Sequence, residues 1–140
     1  MSGVFTRIGV PLFAGLLLIF FVFFRGPGPH GPLRWMGLIL ALLGLAGLIV
    51  ARWTLGKSFS VTPQARRLVT HGIYSKLRNP IYVSGAVCLA GVLLMVQQNY
   101  LWIAWGLLLA VQVVRARQES RVLEAKFGDQ YREWRKGTWF

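Results

Sequence analysis

Four long apolar runs restrict what this chain can fold into more than any other feature of its sequence. They extend from Ile8 to Phe24, from Leu33 to about Trp53, from Ile81 to Val96 and from Tyr100 to Val114, with no Asp, Glu, Lys or Arg in any of them apart from Arg34 and Arg52 at the two ends of the second. A helix needs about 20 apolar residues, within a range of roughly 17 to 25, to cross the hydrocarbon core of a bilayer. The first two runs meet that length. The third and fourth are short, and as spans they would draw on their polar flanks or sit in a thinned bilayer. A soluble domain of 140 residues has no use for so many uninterrupted apolar stretches. The expected fold is therefore an all-α membrane protein in one domain, with four transmembrane helices (8–24, 33–53, 80–96 and 100–114), a cytoplasmic loop (54–79) and a helical tail (115–140). The first run exceeds an ordinary signal-peptide core. It is followed by Arg25-Gly26-Pro27-Gly28-Pro29, not by a small-residue cleavage site, so it reads as a retained span.

The formal net charge is +12, a balance that in a soluble domain would point to nucleic acid. Here the basic residues stand at the ends of apolar runs, where Lys and Arg anchor spans and meet anionic headgroups, and no nucleic-acid partner is expected. Arg52, Lys57, Arg66, Arg67, Lys76 and Arg78 lie between the second and third runs with no acid among them, and seven more basic residues follow the fourth. Arg25 and Arg34 flank the first turn, and the turn at Gln97-Gln98-Asn99 carries no charge. By the positive-inside rule both termini and the central loop are cytoplasmic. All four acids, Glu119, Glu124, Asp129 and Glu133, fall in the tail, so the polar chemistry is on one side. The lone Cys88 lies inside an apolar run and reads as a small apolar residue.

The breaks are sharp. The stretch from Gly26 to Pro32 cannot continue a helix, and the three polar residues from Gln97 demand a tight antiparallel hairpin. Gly37, Ala41, Gly44 and Gly47 recur through the second run at spacings of three or four, a stripe suited to close helix contact. The loop from Thr54 to Pro80 is longer than a connector requires. Pro80 suits the first position of a helix, and Tyr74 and Tyr82 suit interfacial depth. In the tail, Arg115, Glu119 and Val122 share one helical face, with Arg115 and Glu119 close enough to pair. Glu124 lies about 140° round from Glu119. His71 has no nearby Asp, Cys or His and reads as a polar loop residue. No metal ligand set is visible in the sequence.

The string Leu55-Gly56-Lys57-Ser58-Phe59-Ser60, then Leu68-Val69-Thr70-His71-Gly72-Ile73-Tyr74, then Arg78-Asn79-Pro80-Ile81-Tyr82, resembles the isoprenylcysteine carboxyl methyltransferases and their bacterial relatives, a family that includes phospholipid N-methyltransferases. The tail adds Arg115-x-x-x-Glu119, Leu123, Phe127-Gly128 and Tyr131 in the same order. The resemblance covers about the C-terminal two thirds. It departs from the family in three places: Asn79 stands where His is usual, as in the phospholipid N-methyltransferases; Ser120 replaces the second Glu of a pair; and Trp134 replaces a Tyr.

The resemblance implies an S-adenosylmethionine-dependent methyltransferase acting on a lipid-like or prenylated acceptor. Carboxylate O-methylation is favoured, with phospholipid amine N-methylation the other option. It implies a cofactor site made by Arg67, Leu68, Val69, Tyr74, Asn79, Pro80, Ile81, Tyr82 and Glu119, with Arg115 and Arg78 positioning the acceptor. Together with the compact size, it implies a bacterial inner membrane. Two alternatives stand beside this reading: a membrane reductase of the sterol-reductase type, with which the fold is distantly shared, and a small four-span transporter or assembly factor.

Overall fold

The computed structural model describes residues 2–55 and 68–140. Among the described residues the chain forms five α-helices: α1 (Ser2–Arg25), α2 (Pro32–Leu55), α3 (Pro80–Val96), α4 (Leu101–Phe127) and α5 (Asp129–Lys136), with a single 3-10 turn at Gly72–Ser75. The architecture is all-helical, as the apolar periodicity requires. Of the described helices, the segment Pro32–Thr54 is by itself long and apolar enough to cross a membrane, and Leu12–Arg25 and Pro80–Val96 are shorter apolar helices. The fourth apolar run does not end its helix at Val114: α4 passes without a break into the charged tail as far as Phe127. Glu, Arg, Gln and Ala dominate that continuation and are good helix formers, so nothing in it stops the ladder before Gly128.

The principal packing interface is α2 against α3, and the small-residue stripe is its cause. A side-chain carbon added at Gly44 would overlap the backbone of Cys88, one at Gly37 the carbonyl of Gly91, and one at Gly47 the hydroxyl of Ser84. Contacts advance along α2 as they retreat along α3, so the two helices are antiparallel and meet nearly backbone to backbone. Ile19 and Phe23 of α1 close over this seam, forming a core with Ala41, Leu45 and Met95. The hairpin between α3 and α4 turns at Gln97, which takes a left-handed conformation at φ 58°. It is pinned across the molecule by the Gln97 side-chain amide, which donates to the carbonyl of Pro29 (3.0 Å). Midway along the pair, the Trp105 indole N–H donates to the carbonyl of Ala86 (3.2 Å).

Arg34 does more than flank the first turn. It is 1% exposed, among the most buried side chains described. Its Nη2 donates to the carbonyls of Gly26 (2.7 Å), Pro27 (3.2 Å) and Val22 (3.4 Å), and its Nη1 lies 3.1 Å from the His30 ring. Gly26 and Pro27 directly follow α1, where the helix leaves acceptors to be satisfied and its dipole favours a cation; the Val22 carbonyl also accepts from the Gly26 N–H (3.0 Å). The arginine that sequence reasoning assigns to a polar flank is the cap that joins α1 to α2.

Two measurements check this packing. Gly44→Ala should lower the unfolding midpoint in detergent by the equivalent of about 1–3 kcal/mol, because the methyl meets backbone that has no room to move. Gly106→Ala, whose methyl meets nothing within 4 Å, should be neutral or slightly stabilising. Arg34→Ala should also destabilise, by about 1–3 kcal/mol for the acceptors left without a donor, and an unfolding midpoint equal to that of the unaltered chain would refute the cap.

Candidate functional site

Packing of α2 on α3 in antiparallel register brings the end of α2 beside the start of α3, and the segment from Leu68 to Asn79 closes on that end. Ala51 of α2, Val69 and Tyr74 form a buried cluster, and Ile73, Ile81 and Trp134 pack against it. Gly72 adopts φ +61° where it meets the Thr54 side chain, a conformation that glycine tolerates at little cost. The turn it opens points Tyr74 inward. Tyr74 is buried, not an exposed interfacial anchor.

From the other side, α4 delivers Glu119 to the same place. The Tyr82 phenol, near the start of α3, lies close enough to the Glu119 carboxylate to favour its ionised form. Burial pushes the Glu119 carboxyl above the ordinary glutamate range, and the Tyr82 phenol offsets part of that rise. The Tyr74 phenol is pushed well above its own range, first by burial and next by the charges of Glu119 and Tyr82, so it stays protonated at any physiological pH. Arg115 acts electrostatically on Tyr82. Tyr74, Tyr82, Glu119 and Arg115, read from three separated stretches of sequence, thus lie within electrostatic reach of one another.

Arg115 and Glu119 are one turn apart on α4, yet among the described residues no ion pair joins them. The group that steadies the Glu119 carboxylate is Tyr82, and Arg115 is exposed. Glu124 faces away, pairing with Arg132 (3.0 Å) and Arg135 (3.9 Å). Pro80 is buried as the first residue of α3 and Ile81 packs on the Val69–Tyr74 cluster. Asn79 is the residue that caps α3, though its side chain makes no capping bond. Leu68 is half-buried beside Val69. Arg78 is half-buried, and its Nε is buried without a hydrogen-bond partner. Arg67 lies outside the described residues.

Two tail residues, Tyr131 of the family pattern and Trp134 where the chain departs from it, also reach this site. The Trp134 indole N–H donates to the carbonyl of Tyr74 (2.9 Å), and Tyr131, 1% exposed, supports the Trp134 ring at 5.5 Å between centroids. The one signal for Trp134 in the sequence is its position, where the family pattern has another aromatic residue.

The family model described as phospholipid methyltransferase matches residues 31–130, well over half of the chain and all of the elements that build the site up to the start of α5. The chain belongs to the phospholipid methyltransferase family. It is a family of membrane methyltransferases, and both the charged cluster at the helix ends and the apolar helices α2 and α3 fall within the match, while α1 precedes it. No curated protein and no solved structure gives a match to the chain.

The Tyr82–Glu119 contact can be tested without any ligand. Because the phenol stabilises the ionised carboxylate, Tyr82→Phe should move protonation of Glu119 to still higher pH. Isotope-edited infrared titration of the glutamate carboxyl would detect the change, and an unmoved or lowered midpoint would show that the phenol does not steady the carboxylate.

Proposed function

We propose that this phospholipid methyltransferase family member transfers a methyl group from S-adenosylmethionine to a lipid-like acceptor, at the end of a four-span bundle that faces the cytoplasm. The observation that carries this reading is the half-buried Glu119 carboxylate, beside Tyr82 and within electrostatic reach of the buried Tyr74. An anionic acceptor held partly out of water beside aromatic rings suits a ligand bearing an ammonium and a sulfonium, since the carboxylate can take the former and the rings can attract the latter. The buried, unpartnered Arg78 Nε adds a donor.

When bound, S-adenosylmethionine supplies an electrophilic methyl group. The remaining work falls to the chain. Val69, Ile81 and Pro80 give the apolar wall, Glu119 holds the cationic group, and Arg115 and Arg78 orient the acceptor by charged hydrogen bonds. With a carboxylate acceptor the charges cancel in the displacement, so alignment and exclusion of water supply most of the catalytic effect. An amine acceptor must first lose a proton, and Glu119, with its raised proton affinity, is the one described acid at the site.

Four spans are supported by the outer surface. Phe13, Leu17, Phe20, Phe21 and Phe24 on α1, Ile39, Leu43 and Val50 on α2, and Ile103, Leu107, Val111 and Val114 on α4 are all exposed. Apolar patches of that extent are foreign to monomeric soluble proteins, and hydrocarbon is the solvent that accounts for them. The distribution of Lys and Arg puts the Tyr82–Glu119 end at the cytoplasmic side, with both termini.

Titration calorimetry in detergent with S-adenosylmethionine, and with a nicotinamide dinucleotide for the reductase alternative, tests the central statement. Glu119→Gln should weaken S-adenosylmethionine binding about ten- to hundredfold, the worth of a sheltered charged hydrogen bond, whereas Glu124→Gln should have little effect. Affinity should also depend on pH. In the free chain Glu119 prefers its proton more than an ordinary glutamate does, and a cation requires the ionised form. Affinity therefore rises as pH climbs through the raised value and levels off above it, with a proton released on binding, and Glu119→Gln should flatten the profile. Arg115→Ala should leave cofactor affinity within a fewfold and lower turnover and acceptor affinity, and Arg115→Lys should restore only part, lacking the planar fork. Equal loss of cofactor binding in Arg115→Ala and Glu119→Gln would refute the division of roles.

A further inference from the structure

After α5 the chain folds back on the loop that leads into α3. The Trp139 N–H donates to the carbonyl of Lys76 (2.7 Å), and the Trp139 carbonyl accepts from the N–H of Arg78 (2.9 Å). The Phe140 carbonyl accepts from the N–H groups of both Arg78 and Asn79 (3.0 Å each). Leu77 and Trp139 form an isolated parallel bridge. These are backbone bonds, and the Trp139 side chain is 79% exposed, so the contact depends on peptide groups, not on the indole. They also fall where α3 needs them. The Asn79 side chain does not cap the helix, Pro80 has no N–H to offer, and the residues just ahead are held in place by the returning chain. A turn earlier, Trp134 holds the Tyr74 carbonyl. Two separate points of the site loop, Tyr74 and Arg78–Asn79, are thus fastened to one stretch of tail.

We propose that Trp134 and the backbone of Trp139 and Phe140 form a positioning strap that sets the affinity of the site for S-adenosylmethionine, acting through Tyr74 and through Arg78–Asn79. This rests on the reading of that site as the cofactor site. The strap holds one side of the site in the geometry that Glu119 and Tyr82 complete from the other. Without it, cofactor binding has to order the loop itself, and the ordering lowers affinity while leaving the aligned complex as reactive as before.

The decisive comparison is Trp139→Pro against Trp139→Ala in the full-length chain. Both remove the exposed indole, and proline alone removes the N–H that bonds Lys76. Two readouts are taken: Km and kcat for S-adenosylmethionine, and hydrogen exchange at the amides of Arg78 and Asn79 without ligand. Trp139→Ala should match the unaltered chain in both. Trp139→Pro should accelerate exchange at those two amides and raise Km about three- to tenfold, the range for one lost hydrogen bond, with kcat little changed. Trp134→Phe, which keeps a ring but loses the N–H, should raise Km in the same way and serves as the second variant if the proline variant does not fold. Indistinguishable alanine and proline variants, or losses in kcat with Km unmoved, would overturn the strap. Absence of S-adenosylmethionine binding by the unaltered chain would overturn the site reading and this proposal with it; binding by the unaltered chain with no change in Trp139→Pro and Trp134→Phe would overturn the strap alone.

Discussion

Gly44 of α2 lies against the backbone of Cys88 in α3, and Gly37 repeats the contact with Gly91 nearer the Pro-Gly turn; the other described elements are placed by reference to this close antiparallel pair. Residues this small have little apolar side-chain area to bury, so the close approach of the backbones and the dispersion it permits do much to hold the pair together. Glycine allows that approach and fixes its register, because a shift by one residue sets side chains where no room exists. The register is what puts Ala51 near Ile81, and the cluster of Ala51, Val69 and Tyr74 follows from it. The position of the candidate site is thus a consequence of glycines several turns away.

Charge is handled differently at the two ends of the bundle. At the end near the first turn, Arg34 is buried, but its terminal nitrogens meet carbonyls at and just beyond the end of α1 and a histidine ring, with the Nε left without a partner. A cation is needed there as a donor, and its surroundings are static. At the other end the Glu119 carboxylate is half-buried with one phenol beside it to steady it, and its proton affinity is raised accordingly. A partly satisfied anion is costly in a fold that exists only for its own stability. On the proposed reading, that incompleteness gives a cationic ligand something to complete, so the buried Arg34 and the half-buried Glu119 call for different explanations.

Much of this was legible from residue order. The Pro-Gly turn, the hairpin at Gln97, the glycine stripe and the separation of Glu119 from Glu124 around α4 all follow from local rules of backbone freedom and helical period, and the structure agrees with them. Other features depend on contacts between distant segments, which no local rule reports. Arg34 reads as an ordinary flanking charge because its partners, Val22 to Pro27, lie across a turn whose geometry is not in the pattern. Spacing on one helix puts Arg115 and Glu119 close enough to pair, but among the described residues no ion pair joins them, and it is Tyr82 on another helix that lies beside the carboxylate. Trp134 and Trp139 carry no motif of their own; their bonds to Tyr74 and to the segment from Lys76 to Asn79 span some sixty residues of sequence.

That long reach has a physical reason in so small a chain. The glycine seam spends the facing surfaces of α2 and α3 on each other, leaving no wide interhelical space to wall a site from the helices alone. What remains is the rim at the helix ends, where the loop after α2 supplies one side and α4 the other. A loop at a rim is poorly buried, and its backbone groups need partners that water would otherwise provide. The unbroken continuation of α4 beyond its apolar part carries the chain far enough for Gly128 to redirect it at φ +50° and for α5 to return over the loop. The length of α4 and the reversal at Gly128 are therefore part of the site's construction: they bring Trp134 and Trp139 to the peptide groups that the rim leaves exposed.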